Sequence, residues 1–193
     1  MRYYAAADIH GFLSPFLDAL RASGYFEDEE EKKLVLCGDL FDRGEETLAL
    51  QDYILGLLEA DQVVLVRGNH EDLFCSLVTE DRGLPYWHHI QNGTYQTALD
   101  LTGYDTAMAD IRHFDFAEEA RNTPFYQKII PSMVDYYETE RYVFVHGWIP
   151  FRKGNPPRFD PDWRSGAWKN ARWQNGMDAN YHHSLDHSML AGD

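Results

Sequence analysis

Three stretches of the chain decide its fold: RYYAAADIHG (residues 2–11), KKLVLCGDLFDRG (32–44) and QVVLVRGNHE (62–71). In each stretch a short apolar run, typical of a buried strand, ends on a polar string that contains glycine. Asp39 follows Asp8 by 31 residues and Asn69 follows Asp39 by 30, which is the usual length of a strand–helix–strand unit. The spacing therefore predicts three parallel strands joined by helices.

The periodicity of the apolar residues predicts where each strand and helix begins and ends. Strands are predicted at 2–7, 33–37 and 62–66, and helices at 14–23, 45–60 and 69–77. The segment 83–122 is rich in Tyr, Trp, His and Gly, and we interpret it as an insertion of short helices beside the strand ends. A helix is predicted over 123–139 with a break at Pro131, and a strand over 141–145 that leads into His146-Gly147.

The composition restricts the classes of function. A chain of 193 residues, 44% of them hydrophobic, is expected to form one domain over 1–193. A net charge of −15 argues against nucleic acid or an anionic membrane as a partner, since either needs clustered Lys and Arg. Cys37 and Cys75 lie far apart in apolar surroundings, and the sequence carries no signal-peptide pattern or long apolar run. We therefore expect reduced thiols and a cytoplasmic location.

The polar strings carry ligands for metal ions. Open α/β sheets place their sites beyond the carboxyl ends of the strands, so the strings are expected to meet at one edge. Carboxylate, imidazole and amide oxygen ligands suit Mn, Fe, Zn or Mg. With its two oxygens, Asp39 could bridge two ions. Asp8 and His10 are predicted to hold the first ion, and Asn69 and His146 the second.

The same set of residues predicts the hydrolysis of a phosphoester. A water that bridges two cations becomes a hydroxide near neutral pH and can attack phosphorus in line with the leaving group. Arg43 offers a bidentate fork for the phosphoryl oxygens. His70 offers an acid for the leaving oxygen, and Asp42 could hold its imidazolium in place.

Four motifs in order carry a resemblance to a known family. D-x-H-G, G-D-x-x-D-R-G, G-N-H-E and the later H-G resemble those of the calcineurin-like metallophosphoesterases, over residues 2 to about 148. The D-R-G ending and the Glu of the third motif are most similar to the phosphoprotein-phosphatase branch. That branch includes bacterial serine/threonine phosphatases and symmetrical dinucleoside tetraphosphate hydrolases. The resemblance implies a four-layer α/β/β/α sandwich, with a second sheet that could be incomplete towards the C-terminus.

The resemblance also implies a role for each site residue. The metal ligands would be Asp8, His10, Asp39, Asn69 and His146. Asp42 and His70 would form the acid pair. Arg43, Asn69 and His70 would bind the phosphate. The implied cofactors are two divalent ions, with Mn as the first choice and Fe, Zn or Mg as alternatives.

Several alternatives stay open from the sequence. The expected partner is a phosphorylated substrate, either a phosphoprotein or small phosphomonoester, or else a dinucleoside polyphosphate. Members of the family have a further Gly-His motif, and none follows Gly147. The chain could therefore be a non-catalytic phosphatase-like binding protein, or its last ligands could come from His182, His183 or His187. The oligomeric state is left open.

Overall fold

A three-stranded parallel sheet forms the centre of the fold. The computed structural model describes residues 1–79, 85–104, 117–152 and 158–174. The strands are β1 (Arg2–Ala6), β2 (Lys32–Cys37) and β3 (Val63–Val66), in the order β1-β2-β3. They are parallel, with Ala6 opposite Leu36 and Cys37 opposite Val66. The three predicted strands and their parallel direction are confirmed.

Helices cover one face of this sheet. They are α1 (Leu13–Ala22), α2 (Thr47–Glu59) and α3 (Asn69–Val78), close to the predicted positions. Leu50, Ile54 and Leu57 of α2 recur at helical spacing and are buried, because they form the stripe that faces the sheet. Leu34 and Leu36 of β2 are fully buried beneath the helices, in the main core of the protein.

Three short helices occur among the described residues of the segment 83–122, which are 85–104 and 117–122. They are α4 (Tyr86–Gln91), α5 (Thr94–Thr102) and α6 (Ala117–Arg121). α5 packs between α2 and α3, and its Tyr95, Ala98 and Leu99 belong to the main core. This packing brings the first turn of α5 to the carboxyl ends of the strands.

The predicted helix over 123–139 is wrong in its second half. A π-helical turn (Phe125–Ile129) leads into a short α7 (Ile130–Ser132), and the backbone is extended at Met133. Pro131 has no N–H for a helical hydrogen bond. The N–H of Val134 donates instead to the carbonyl of Leu65 at 2.9 Å. This hydrogen bond to β3 holds the backbone extended after Ser132.

A second, smaller sheet covers the other face. It pairs β4 (Tyr136–Glu138) with β5 (Val143–Val145) in antiparallel fashion, and β5 confirms the strand predicted over 141–145. Tyr137 and Phe144 pack against Val35, Cys37 and Val66. β2 and β3 are therefore largely buried on both faces, as their continuous apolar runs require, whereas the edge strand β1 is partly exposed.

A fourth layer lies outside the second sheet. After the two-residue strands β6 (Phe151–Arg152) and β7 (Arg158–Phe159), a 3₁₀ turn (Trp163–Ser165) leads to α8 (Trp168–Ala171). Trp168 stacks on Tyr136 at 5.0 Å between ring centroids. The order of layers is helix, sheet, sheet, helix, and the second sheet is short. In the part of the chain that the structure covers, no helix has the length and apolarity to cross a bilayer.

Candidate metal centre

The loops after the strands are pressed together at one edge of the sheet. A Cβ on Gly38, after β2, would lie 2.6 Å from the Cα of Gly68, after β3. A Cβ on Gly44 would overlap the backbone of Gly11 in the loop after β1. Only glycine permits such approaches, so these residues bring the three loops to one place.

Five of the predicted site residues have a left-handed backbone. The φ angles are positive at each of them: Asp8 (54°), His10 (50°), Asp39 (53°), Asp42 (74°) and Arg43 (71°). Such angles are uncommon outside glycine and persist only where the surroundings hold them. This strain is concentrated where the motif residues meet, which is typical of a functional site.

Glu71 joins the strained loop after β2 to the backbone at the start of α3. Its side chain is buried, and its carboxylate accepts hydrogen bonds from the N–H groups of Gly68 (2.8 Å), Leu40 (2.9 Å) and Asp39 (3.1 Å). It therefore fixes the loop after β2 against the start of α3. No role for Glu71 was predicted from the sequence, although its place in the G-N-H-E motif was the available signal.

We expect Glu71→Gln to lower the free energy of unfolding by about 1–3 kcal/mol, because the new NH₂ cannot accept a backbone N–H. Urea denaturation checks this, with an unchanged slope against denaturant concentration. The exposed Glu119 provides the control, since Glu119→Gln should change stability by less than about 0.5 kcal/mol. An unfolding midpoint for Glu71→Gln equal to that of the wild type would contradict this role.

Asp39 lies at the centre of the site, with its carboxylate almost completely buried. Its Oδ1 is 3.4 Å from Nε2 of His146, and its Oδ2 is 3.9 Å from Nε2 of His10 and 3.8 Å from Nε2 of His70. Two groups of possible metal ligands share it: His10, Asp39 and His70 form one, and Asp8, Asp39 and His146 the other. Within each group the ligand atoms lie within 4.8 Å of one another.

His146 presents a lone pair to other acceptors. Its Nδ1–H donates to the carbonyl of Cys37 at 2.8 Å, so Nε2 of the neutral ring is an acceptor. That nitrogen faces Oδ1 of Asn69 at 2.8 Å and Oδ1 of Asp39 at 3.4 Å. Acceptors that converge in this way repel one another unless a cation or a proton lies between them. The arrangement fits a metal ion.

His10 also presents a lone pair on Nε2 to the site. Its Nδ1–H donates to the carbonyl of Phe41 at 3.0 Å, which leaves Nε2 as the acceptor. Burial lowers the pKa of His10 and favours the neutral ring that metal binding needs. Nε2 accepts a hydrogen bond from Arg43 Nη1 at 3.0 Å.

His70 and Asp42 form a buried pair. Nδ1 of His70 donates to Oδ2 of Asp42 at 2.6 Å, while Nε2 accepts from Arg43 Nη2 at 3.1 Å. Burial opposes the imidazolium, but the hydrogen bond to Asp42 and the charges of Asp39 and Asp42 outweigh it. The pKa of His70 is therefore raised. Thr94 and Thr97 of α5 also donate to Asp42, a contact that sequence analysis missed.

The site opens into a cavity of about 520 Å³. Seven of the eight predicted site residues line it: Asp8, His10, Asp39, Arg43, Asn69, His70 and His146. Asp42 does not reach the cavity wall and lies behind His70. Cys37 also lines the cavity, but burial raises its pKa to about 11, so its thiol stays protonated at neutral pH. Cysteine chemistry is therefore not favoured here.

The C-terminal part of the described chain closes the cavity on one side. Arg172 is buried and donates to both oxygens of Asp72 on α3, at 3.2 and 3.0 Å. Arg67 donates to the same carboxylate at 2.9 Å, so Asp72 anchors both guanidinium groups. This anchor brings the partly exposed Trp173 to the cavity wall. His182, His183 and His187, the possible substitute ligands, lie outside the described residues.

Comparisons with known proteins agree with this geometry. Residues 1–188 match a family model described as calcineurin-like phosphoesterase. Over 78 residues, 37% of this chain, it is 33% identical to an asymmetrical bis(5'-nucleosyl)-tetraphosphatase of Anoxybacillus flavithermus. Over 70 residues, 36% of this chain, it is 37% identical to serine/threonine-protein phosphatase 1 of Salmonella typhimurium. The matched stretches span 32% and 30% of the two relatives, which is about a third of their length.

Proposed function

The chain belongs to the calcineurin-like phosphoesterase family, and on that basis we propose that it hydrolyses phosphoesters with the help of two divalent metal ions. The observation that carries the proposal is the position of Asp39, whose carboxylate belongs to both groups of converging ligand atoms. A carboxylate shared between two ligand groups is what a two-metal phosphoester site requires.

The residues present fit such ions. Oxygen and imidazole nitrogen are the ligand atoms that Mn²⁺, Fe²⁺, Zn²⁺ and Mg²⁺ take, and we propose Mn²⁺ as the first candidate. We assign five ligands: Asp8, His10, Asp39, Asn69 and His146. The ligand atom of Asp8 lies with those of Asp39 and His146, whereas sequence analysis paired Asp8 with His10. Bound ions supply Lewis acidity, which activates the attacking water and neutralises the phosphoryl oxygens.

Arg43 is the proposed phosphate-binding residue. Its two terminal nitrogens donate to Nε2 of His10 and to Nε2 of His70, at 3.0 and 3.1 Å. The lone pair on His10 cannot serve a metal ion and Arg43 together. With a metal ion held by His10, Arg43 would lose this partner, and its planar fork would be available to the phosphoryl oxygens.

His70 is the proposed general acid. Its Nε2 faces the cavity, where the leaving oxygen would lie, and its Nδ1–H is held by Asp42. The negative charge of Asp42 favours the imidazolium that carries the second proton on Nε2. Transfer of that proton to the leaving oxygen completes the cleavage of the P–O bond.

A phosphoprotein or small phosphomonoester is the proposed substrate, and a dinucleoside polyphosphate is the second candidate. The Salmonella and Anoxybacillus relatives are named for the two kinds of activity. The cavity is open, and Trp173 on its wall offers an aromatic face for either a side chain or a nucleobase.

We expect the purified full chain to hydrolyse 4-nitrophenyl phosphate when Mn²⁺ is added, and to bind about two ions per chain by elemental analysis. Parallel assays with a phosphopeptide and with bis(5'-adenosyl) tetraphosphate rank the substrate classes. Protein that holds two ions but turns over none of the three would instead be a phosphatase-like binding protein. Failure to bind any ion would contradict the proposed function altogether.

A further inference from the structure

Two threonines in the first turn of α5 donate hydrogen bonds to the carboxylate of Asp42. Thr94 Oγ1 donates to Oδ2 at 2.7 Å, and Thr97 Oγ1 donates to Oδ1 at 2.7 Å. Both threonines are buried, with exposed fractions of 0% and 2%. They lie three residues apart, so both hydroxyls leave the same side of the helix.

The hydroxyl of Thr97 makes a second bond to the same residue. It accepts the backbone N–H of Asp42 at 3.0 Å while it donates to the side chain. Asp42 has a φ of 74°, which is uncommon outside glycine and needs support from its surroundings. Thr97 thus secures both the strained backbone and the direction of the carboxylate.

The helix can reach Asp42 because the residue before it is glycine. A Cβ on Gly93 would lie 2.5 Å from the backbone nitrogen of Arg43, and Gly93 has a φ of 84°. Any other residue would push α5 off the loop that carries Asp42 and Arg43. The close approach of α5 to this loop is therefore set by the backbone at Gly93.

We propose that Thr94 and Thr97 are positioning residues for the transfer of a proton to the leaving group. The inference rests on the proposed function, since Asp42 matters only if His70 is the acid. Oδ2 of Asp42 is shared by Thr94 and by Nδ1 of His70, at 2.7 and 2.6 Å. Without the two hydroxyls the carboxylate can rotate away from His70, and the imidazole loses the partner that orients its Nε2 towards the cavity.

The test compares substrates that differ in their need for an acid. Phenyl phosphate has a poor leaving group, while 4-nitrophenyl phosphate has a good one that departs with little help. In the Mn²⁺-loaded protein we expect Thr97→Val to lower kcat about 10-fold on phenyl phosphate and less than about 3-fold on 4-nitrophenyl phosphate, with KM unchanged. Thr94→Val should act in the same direction, and Thr97→Ser should restore kcat.

Thr102 provides the matched control on the same helix. Its hydroxyl donates to the carbonyls of Ala98 and Leu99 within α5 and does not approach the site. Thr102→Val should therefore leave both substrates unaffected. If Thr94→Val and Thr97→Val lower kcat equally on both substrates, the threonines only support the fold and the inference is wrong.

A second measurement does not depend on turnover. In the diamagnetic Mg²⁺ form, the Nδ1 proton of His70 is expected as a slowly exchanging resonance in the proton NMR spectrum, since a buried carboxylate holds it. Exchange should be faster in Thr94→Val and Thr97→Val, and unchanged in Thr97→Ser and Thr102→Val. If the wild type hydrolyses nothing, the proposed function fails, and this experiment still decides whether the threonines hold the pair. Unchanged exchange in both Val variants would overturn the inference.

Discussion

Asp39→Asn is expected to lower kcat by about 10³-fold and to reduce the bound metal from two ions to one or fewer. Asp39 is the one residue common to both ligand groups, so the substitution weakens both at once. Removing its charge also leaves several buried lone pairs without a cation to neutralise them. Initial rates with 4-nitrophenyl phosphate and elemental analysis of the same sample measure the two effects.

The fold should survive this substitution. Oδ1 of Asp39 accepts the backbone N–H of His70 at 3.0 Å, and the amide oxygen of asparagine can accept it equally well. Asparagine also tolerates the positive φ of this position.

Asp61 is the matched control. It too has a positive φ, of 53°, but its side chain is 91% exposed and forms an ion pair with Lys33 at the surface. Asp61→Asn should therefore retain full activity and both ions. If Asp39→Asn kept its metal and more than a tenth of wild-type activity, a two-metal site centred on Asp39 would be disproved.

His70→Asn is expected to lower kcat by about 10²–10³-fold on phenyl phosphate and much less on 4-nitrophenyl phosphate. The acid acts in its protonated form, and in the metal-free protein the pKa of His70 is raised, because the hydrogen bond to Asp42 and the charges of Asp39 and Asp42 outweigh its burial. Activity of the metal-loaded wild type on phenyl phosphate should fall as pH increases through the pKa that His70 has in that form. The substitution should abolish this alkaline decline.

The same pKa has a consequence for stability in the metal-free protein. Because the folded pKa is raised, His70 stabilises the fold fully below pH about 6.5, and the contribution is lost as pH rises through the folded value. Denaturation at several pH values should show this loss in the wild type and a smaller loss in His70→Asn. His88→Asn is the control, since His88 does not line the cavity. If the activity of His70→Asn on phenyl phosphate still declined at alkaline pH, the acid would be another group.

Local patterns were enough to predict the central sheet. The apolar runs before Asp8, Asp39 and Asn69 recur at the spacing of a strand–helix–strand unit, and the structure has parallel strands at each of them. The prediction failed over 133–139, where the pattern indicated a helix. There the chain is extended because Val134 bonds to β3, and a contact of this kind leaves no trace in the local periodicity.

Residue type and spacing alone established that the polar strings meet, because the carboxyl ends of neighbouring parallel strands share one edge of the sheet. Tertiary structure alone decided how they meet. It placed Asp8 beside His146, and it brought the hydroxyls of Thr94 and Thr97 to Asp42 across 52 and 55 residues of chain. Such contacts depend on the angle at which packed helices approach a loop. That angle is set by the shape of the whole core, which no short motif encodes.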